Sequence, residues 1–332
     1  MNKLISLTVL ALSSQFVTAA NLDSNYRTSG KQVHQAFREL QPFLQSGSAV
    51  FNRGRKEIIF GTVVSAEGHI LTKASELGEV GDLVVTIDQT RYESPVLVAT
   101  DPAWDVALVK VDAEGLKPVD LAERPALERG EWLVANGAVT RRERRVQVGV
   151  VAASAREVKA AGGAVLGVEL DGEAEGLVVG DVSEGGGASK AGLKKGDVIR
   201  SLNGEETKDR ESMLKLLEDL RVGQKVTLGI TRDGEKMEVE VELAGRTDLY
   251  GEEKTRNDGM SGEYSARRTG FPAVFQHDIM ANRHFMGGPV FDLEGRCVGM
   301  NIARFSRCES YAIPAAELRE IIGRLVPAGE GS

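Results

Sequence analysis

Gly61-Thr-Val-Val-Ser-Ala-Glu-Gly-His-Ile-Leu-Thr72 consists of two short apolar runs on either side of a Glu67-Gly68 turn. β-Branched residues crowd both runs, and Gly68 supplies the backbone freedom that a tight reversal needs. The pattern reads as strands at 57–64 and 69–72 joined in a hairpin. The same rhythm extends outward, to 48–51 upstream and to 82–87, 93–100, 106–111, 132–135 and 146–152 downstream. Short strands at this spacing predict an all-β barrel or sandwich. A helix over 30–44 precedes them, since Val33, Phe37 and Leu40 recur three or four residues apart.

The composition agrees. Of 332 residues, 42 % are hydrophobic and 27 % charged, which is the range of folded chains of about two domains. With 38 glycines and only 5 % aromatics, the chain suits many tight turns. A net charge of −8 gives no general attraction to nucleic acid or anionic lipid. Two cysteines exclude both a disulfide scaffold and a cysteine-built metal site. The first residues, MNKLISLTVLALSSQFVTAA, combine Lys3, an apolar run and a small-residue exit. They read as a signal peptide over 1–20, cut near Ala19 or Ala20, with export to the periplasm or beyond. No later stretch approaches the roughly 18 apolar residues of a membrane span, so the mature chain is expected to have no transmembrane segment.

The rhythm changes at residue 163. Strands at 165–169, 177–182, 197–202 and 225–231 surround a short helix at 188–191 and a longer one at 210–220. Met213, Leu214, Leu216, Leu217 and Leu220 line one broad face of the longer helix, and Asp209 is placed to cap it. Residues 163–243 hold 18 acidic and 11 basic side chains, so most of the net acidity sits here. The polar, turn-rich stretch 245–262 reads as a linker. Strands resume at 271–276, 288–292 and 297–303, and a helix at 314–325 closes the chain with Pro314 in its first turn.

Two sets of motifs carry a family resemblance. Residues 61–72, together with Thr100-Asp-Pro-Ala-Trp-Asp-Val-Ala-Leu-Val-Lys-Val111, resemble the first barrel of the HtrA/Deg group of chymotrypsin-like serine proteases. Phe275-Gln-His-Asp-Ile-Met-Ala-Asn282 and Met286-Gly-Gly-Pro-Val-Phe-Asp-Leu-Glu-Gly295 resemble its nucleophile region, and Tyr311-Ala-Ile-Pro314 its closing F-A-I-P. Ala191-Gly-Leu-Lys-Lys-Gly-Asp-Val-Ile-Arg-Ser-Leu-Asn-Gly204 is similar to the bacterial PDZ hallmark A-G-L-x-x-G-D-V-I-x-x-V-N-G. The resemblance implies a mainly β, chymotrypsin-like double β-barrel over 21–160 and 263–327. Its first barrel would span about 45–120 and its second about 125–160 plus 263–327. A PDZ domain over 163–244 would be inserted in the second barrel, where relatives carry it after the protease.

The resemblance also implies that the chemistry has been lost. The triad-equivalent positions are Ser75, Asp105 and Met286, and the oxyanion-equivalent glycine position is His284. A serine hydroxyl is no general base near neutral pH, and a thioether has no proton to give. Aspartate alone only orients a partner. A side chain at 284 restricts the backbone that must aim an N–H at the oxyanion. The expectation is an exported pseudoprotease, with no cofactor, that binds polypeptide C-termini or scaffolds an envelope protein through its PDZ domain. Oligomerisation stays open. Val165, Leu166, Gly167 and Val168 would form the carboxylate turn, with Met213 and Leu217 on the facing helix wall.

Other readings remain. One is an active serine-type endopeptidase with non-standard residues. Another is a metal-binding module built from His277, Asp278 and His284, although no helical ligand spacing supports it and no metal is expected. Arg141-Arg-Glu-Arg-Arg145 reads as a solvated loop or a docking patch for an acidic partner. Cys297 and Cys308 could pair in an oxidising compartment, but a hairpin register that sets Ile302 opposite Tyr311 would keep them apart.

Overall fold

The computed structural model describes residues 23, 25, 30–124, 126–138, 144–160, 162–171, 176–250, 263–280 and 282–327. The signal-like residues 1–20 and most of the arginine cluster at 141–145 lie outside them.

α1 (Lys31–Ala36), a 3-10 turn (Arg38–Leu40) and α2 (Gln41–Gly47) replace the single helix expected over 30–44. Pro42 sits in the first turn of α2, where a missing N–H does no harm; it starts a helix rather than continuing one. Leu40 and Leu44 pack with Val134, Val148 and Phe291.

Next come β1 (Ser48–Arg53), β2 (Lys56–Val63), β3 (His69–Lys73), α3 (Ala74–Leu77), β4 (Val84–Ile87), β5 (Thr90–Glu93), β6 (Val96–Asp101) and β7 (Val106–Lys110). They form one antiparallel sheet in the order β5-β4-β1-β2-β3-β7-β6, with Phe51, Ile59, Ile70, Val85 and Val109 inside. The strand expected at 93–100 is two strands, because the chain turns at Ser94, whose φ is +56°.

β8 (Trp132–Ala138) and β9 (Arg144–Val158) begin a second body. An inserted unit then follows: β10 (Ala164–Val165), β11 (Val168–Leu170), β12 (Leu177–Val182), α4 (Gly187–Lys190), β13 (Val198–Leu202), β14 (Glu205–Glu206), α5 (Arg210–Glu218), β15 (Lys225–Arg232), β16 (Glu235–Glu242), β17 (Ala244–Gly245) and α6 (Arg246–Tyr250). Its sheet runs β11-β12-β13-β15-β16, with β14 beside β13. Asp209 caps α5 as its sequence suggests: its side chain accepts from Ser212 N at 2.8 Å, and Ser212 Oγ accepts from Asp209 N at 3.1 Å. The segment read as a linker from 245 begins instead with β17 and α6. The remainder of that segment, 251–262, lies outside the described residues.

After the insertion, β18 (Phe271–His277), β19 (Pro289–Phe291), β20 (Cys297–Arg304) and β21 (Ser310–Pro314) join β8 and β9 in a closed barrel ordered β18-β21-β20-β19-β8-β9. Closure pairs Phe271 with Val158 and His277 with Val151, strands on opposite sides of the insertion. α7 (Ala315–Leu325) covers one end through Leu318 and Ile321. That apolar cluster also holds Leu71, Trp104 and Leu108 from the first sheet, so one core joins the two bodies. Both cysteines are free. Cys297 is buried, which pushes its thiol up to about 12, whereas Cys308 is exposed.

Candidate functional site

The site forms where β3 ends and β7 begins. These strands pair with Thr72 opposite Ala107 and Lys73 opposite Val106, which brings Asp105 beside the turn into α3. Asp105 has φ +57°, and its carbonyl accepts from Ala74 N at 2.8 Å. Its carboxylate Oδ1 accepts from Ser75 N at 2.8 Å, and Oδ2 accepts from Ser75 Oγ at 2.8 Å. Lys73 Nζ donates to the same Oδ2 and, at 2.9 Å, to the carbonyl of Arg267. The Lys73 side chain is 0 % exposed and that of Asp105 only 5 %. The ammonium also lies 5.6 Å from the centre of the Phe271 ring. The position that the family resemblance assigns to histidine is therefore a hydroxyl that donates to Asp105, and a lysine two residues earlier supplies the countercharge.

Arg267 completes this arrangement. It is buried, and its guanidinium donates to the carbonyls of Pro102, Ala103 (2.9 Å) and Thr269 (3.2 Å) while stacking 5.0 Å from Phe271. It fastens the segment before β18 to the loop that carries Asp105. Burial raises the carboxyl of Glu76, which accepts from Ala266 N at 3.0 Å.

Met286 has no exposed surface. It follows a 3-10 turn over Arg283–Phe285 in which the N–H groups are engaged locally. His284 N donates to Asn282 Oδ1 at 3.3 Å, Phe285 N to Asn282 O at 2.9 Å and Met286 N to Arg283 O at 3.2 Å. The Phe285 ring packs 5.1 Å from Phe60. Phe60 N donates to Met286 O at 3.2 Å, and Thr62 Oγ1 donates to Gly287 O at 2.8 Å, which stitches this segment to β2. Gly287, at φ +82°, leaves no room for a side chain: a Cβ there would stand 2.1 Å from Phe60 O. Ser75 and Asp105 touch directly, and the 286–287 segment reaches them through β2 and Thr72.

The histidines are engaged elsewhere. His277 is fully buried between Asn301 Oδ1, 2.7 Å from Nε2, and Ile279 N, which donates to Nδ1 at 3.3 Å. Burial lowers its pKa to about 4, so the ring is neutral. His284 donates from Nδ1 to Ile58 O at 2.8 Å, and Asp278 Oδ1 accepts from Val150 N at 2.6 Å. Among the described residues no group of three His, Cys, Asp or Glu side chains is placed to hold a metal ion. A cleft of about 580 Å³ opens over Ser75, Asp105 and Arg267, and Lys190, Thr247 and Leu249 of the inserted unit form its far wall.

In the inserted unit, Val165, Leu166, Gly167 and Val168 make the turn from β10 to β11, with Gly167 at φ +83°. The carbonyls of Leu166 and Gly167 accept from Ala188 N and Ser183 N at 3.0 and 2.9 Å. No hydrogen bond among the described residues uses the N–H of Leu166 or Gly167. β11 is a terminal strand of its sheet. On α5, Leu217 is 9 % exposed and borders a surface groove, whereas Met213, at 4 %, belongs to the core. Leu214, expected on one broad apolar face with Met213 and Leu217, is 52 % exposed and lines that groove.

Residues 60–189 match the trypsin-like peptidase domain family, and residues 164–243 match the PDZ domain family. The matches overlap over 164–189, which lie structurally in the inserted unit. The chain is HtrA-like. A protein of Ectopseudomonas mendocina described as "Probable periplasmic serine endoprotease DegP-like" is 23 % identical over 293 residues, 64 % of this chain and 62 % of that one. One of Bartonella henselae with the same description is 24 % identical over 286 residues, 61 % of this chain and 56 % of that one. The HtrA-like chain thus spans about three fifths of the length of the curated relatives it matches. The crystal structure of a serine endoprotease from Yersinia pestis, 16 % identical, superposes with a TM-score of 0.34 over 63 % of this chain and 97 % of that one.

Sequence reasoning missed Lys73 and Arg267. No local pattern signalled either: Lys73 ends a strand that is buried throughout only in the folded chain, and its partners Asp105 and Arg267 are remote in sequence. Removing one partner of a buried ion pair leaves the other charge uncompensated. Lys73→Ala should therefore destabilise the chain by about 3–5 kcal/mol in urea denaturation. Lys73→Met with Asp105→Asn should lose much less.

His277 gives a pH dependence. Its folded pKa of about 4 lies below the ordinary 6.5, so the unfolded chain takes up a proton that the folded chain refuses. Stability should be full above pH about 6.5 and fall as pH drops toward 4, by roughly 3 kcal/mol at about 1.4 kcal/mol per unit. Glu76 works in the opposite sense, since its raised pKa favours the folded state as it protonates. Comparing wild type with His277→Gln isolates the histidine: the variant's urea midpoint should lose this slope between pH 6.5 and 4.

Proposed function

We propose that this HtrA-like protein is an exported, periplasmic pseudoprotease that binds polypeptide carboxyl termini through its PDZ domain. The observation that carries the first half is Asp105. In an acting triad its carboxylate must be free to hold an imidazole. Here Lys73 occupies it from the buried side and Ser75 from the other. Met286 is buried where a nucleophile would stand. The N–H groups that would face an oxyanion, those of His284 and Met286, already donate to Asn282 and Arg283. Base, nucleophile and oxyanion hole are each lost for a separate reason. The signal-like start and the description of the relatives as periplasmic support export. No helix among the described residues is long and apolar enough to cross a membrane.

Wild type should cleave no casein between pH 5 and 9. Ser75→His with Met286→Ser should barely react with a fluorophosphonate, because one missing oxyanion donor lowers turnover about 100–1000-fold. Adding His284→Gly and Phe285→Asn should raise the labelling rate at least about 10-fold, a cautious fraction of one donor's effect. Casein turnover by stringently purified wild type, or equal labelling of the double and quadruple variants, would refute this account.

The second half rests on the turn. The N–H groups of Leu166 and Gly167 sit unused beside a terminal strand, the arrangement that captures a carboxylate at the end of an added strand. Titration calorimetry of the full chain with peptides ending in apolar residues should detect the free acids and show much weaker binding of the amides. Equal affinity for both would rule out the carboxylate mode.

A further inference from the structure

Between α5 and the closed barrel lies a groove of about 980 Å³, large enough for several residues of an extended chain. One wall belongs to the PDZ domain, with Val165, Leu214 and Leu217. The other combines Phe271 and Pro272 of the barrel strand β18 with Trp104, from the loop that leads into β7 of the first sheet. Arg221 of the PDZ domain reaches Glu157 of β9 at 3.1 Å and ties the two walls together. Leu214 stands half-exposed in this groove, an apolar side chain that the PDZ core does not need.

The charged groups divide unevenly along the groove. Glu218 and Asp219 lie at the carboxyl end of α5, and Lys159 lies on the barrel side. Arg246 lines the same groove just after β17, whose pairing with β10 sets it beside the start of the turn. Its N–H donates to Gly163 O at 3.2 Å, and its Cδ fills the place of a Cβ on Gly162. The guanidinium stacks 5.8 Å from Tyr250, and among the described residues it has no acidic partner. A guanidinium with no acidic partner among the described residues, lining an apolar groove that also takes in Val165 at the start of the turn, suits a carboxylate that arrives with an apolar side chain.

We propose that the polypeptide terminus is held by both domains at once. Its last, apolar side chain lies between Leu214 and Leu217 on one wall and Phe271 and Pro272 on the other. Its carboxylate is bound by the turn together with Arg246, a residue outside the matched PDZ segment. The occupant is the extended carboxyl-terminal segment of a polypeptide ending in leucine, valine or phenylalanine. This rests on the reading of the PDZ domain as a binder of carboxyl termini, and adds that the barrel is part of the site.

The test uses the full chain and fluorescein-labelled decapeptides ending in leucine, valine or phenylalanine, with the three preceding positions randomised, as free acids and as amides. Fluorescence anisotropy gives the affinity, and thermal unfolding checks that each variant is folded. Arg246→Gln should weaken binding of the free acids about 10-fold, as expected for one charge-assisted hydrogen bond, and leave the amides unchanged. Arg246→Lys should restore part of the loss, which a merely structural role would not show. Leu214→Asp and Pro272→Asp should each weaken both forms. Wild-type affinity in Arg246→Gln, or in Pro272→Asp, would overturn the two-domain site while leaving the PDZ reading in place. Absence of any binding by wild type would overturn both.

Discussion

A lysine ammonium without solvent is tolerable only where a carboxylate and hydrogen-bond acceptors meet it, and Lys73 has both in Asp105 and the Arg267 carbonyl. That requirement reaches across the molecule. Asp105 precedes β7 in the first sheet, and Arg267 precedes β18 in the closed barrel. One buried charge thus fixes the spacing of two bodies that are far apart in sequence. Arg267 reinforces the same junction from the carbonyl side, and the Phe271 ring lies against both cations. In the proposed reading this junction serves as a structural joint rather than a working cleft. The strain of Asp105 at φ +57° persists because its carbonyl, carboxylate and neighbouring backbone are all held.

The same logic explains Met286. The buried position beside β2 favours a flexible apolar side chain. The turn before it satisfies N–H groups of its own, those of His284, Phe285 and Met286. In the proposed reading the residues at 75, 284 and 286 are not three isolated substitutions but parts of one locally satisfied arrangement, which suits a chain that binds rather than cuts.

The strands from 48 to 111 were legible because β-branched runs and glycine turns mark them directly. The helix cap at Asp209 was legible for the same local reason. β16 went unread even though Met237, Val239 and Val241 alternate with glutamates, since its high charge hides a strand that is buried on one face only. At the site, the family resemblance drew attention to Ser75, Asp105 and Met286, but not to Lys73. Its role depends on a carbonyl 194 residues away, and no local pattern announces that a lysine will be buried. The side chains on α5 failed for a related reason: Met213 and Leu214 are equally apolar, and only the third dimension decides which of them meets the core.

The insertion has a consequence for how the molecule assembles. β9 and β18 must pair across more than a hundred residues of intervening chain, a closure that would ordinarily be slow and entropically unfavourable. The inserted unit shortens that journey, because β10 and β17 pair with each other, Ala164 opposite Gly245, and draw its two ends together. Once that short ladder has formed, the barrel meets a loop about a quarter as long, a saving of about 1 kcal/mol at ~0.6 kcal/mol per halving. The chain thereby favours one order of events: closing the short β10–β17 ladder first leaves the barrel strands β9 and β18 less far to travel before they pair.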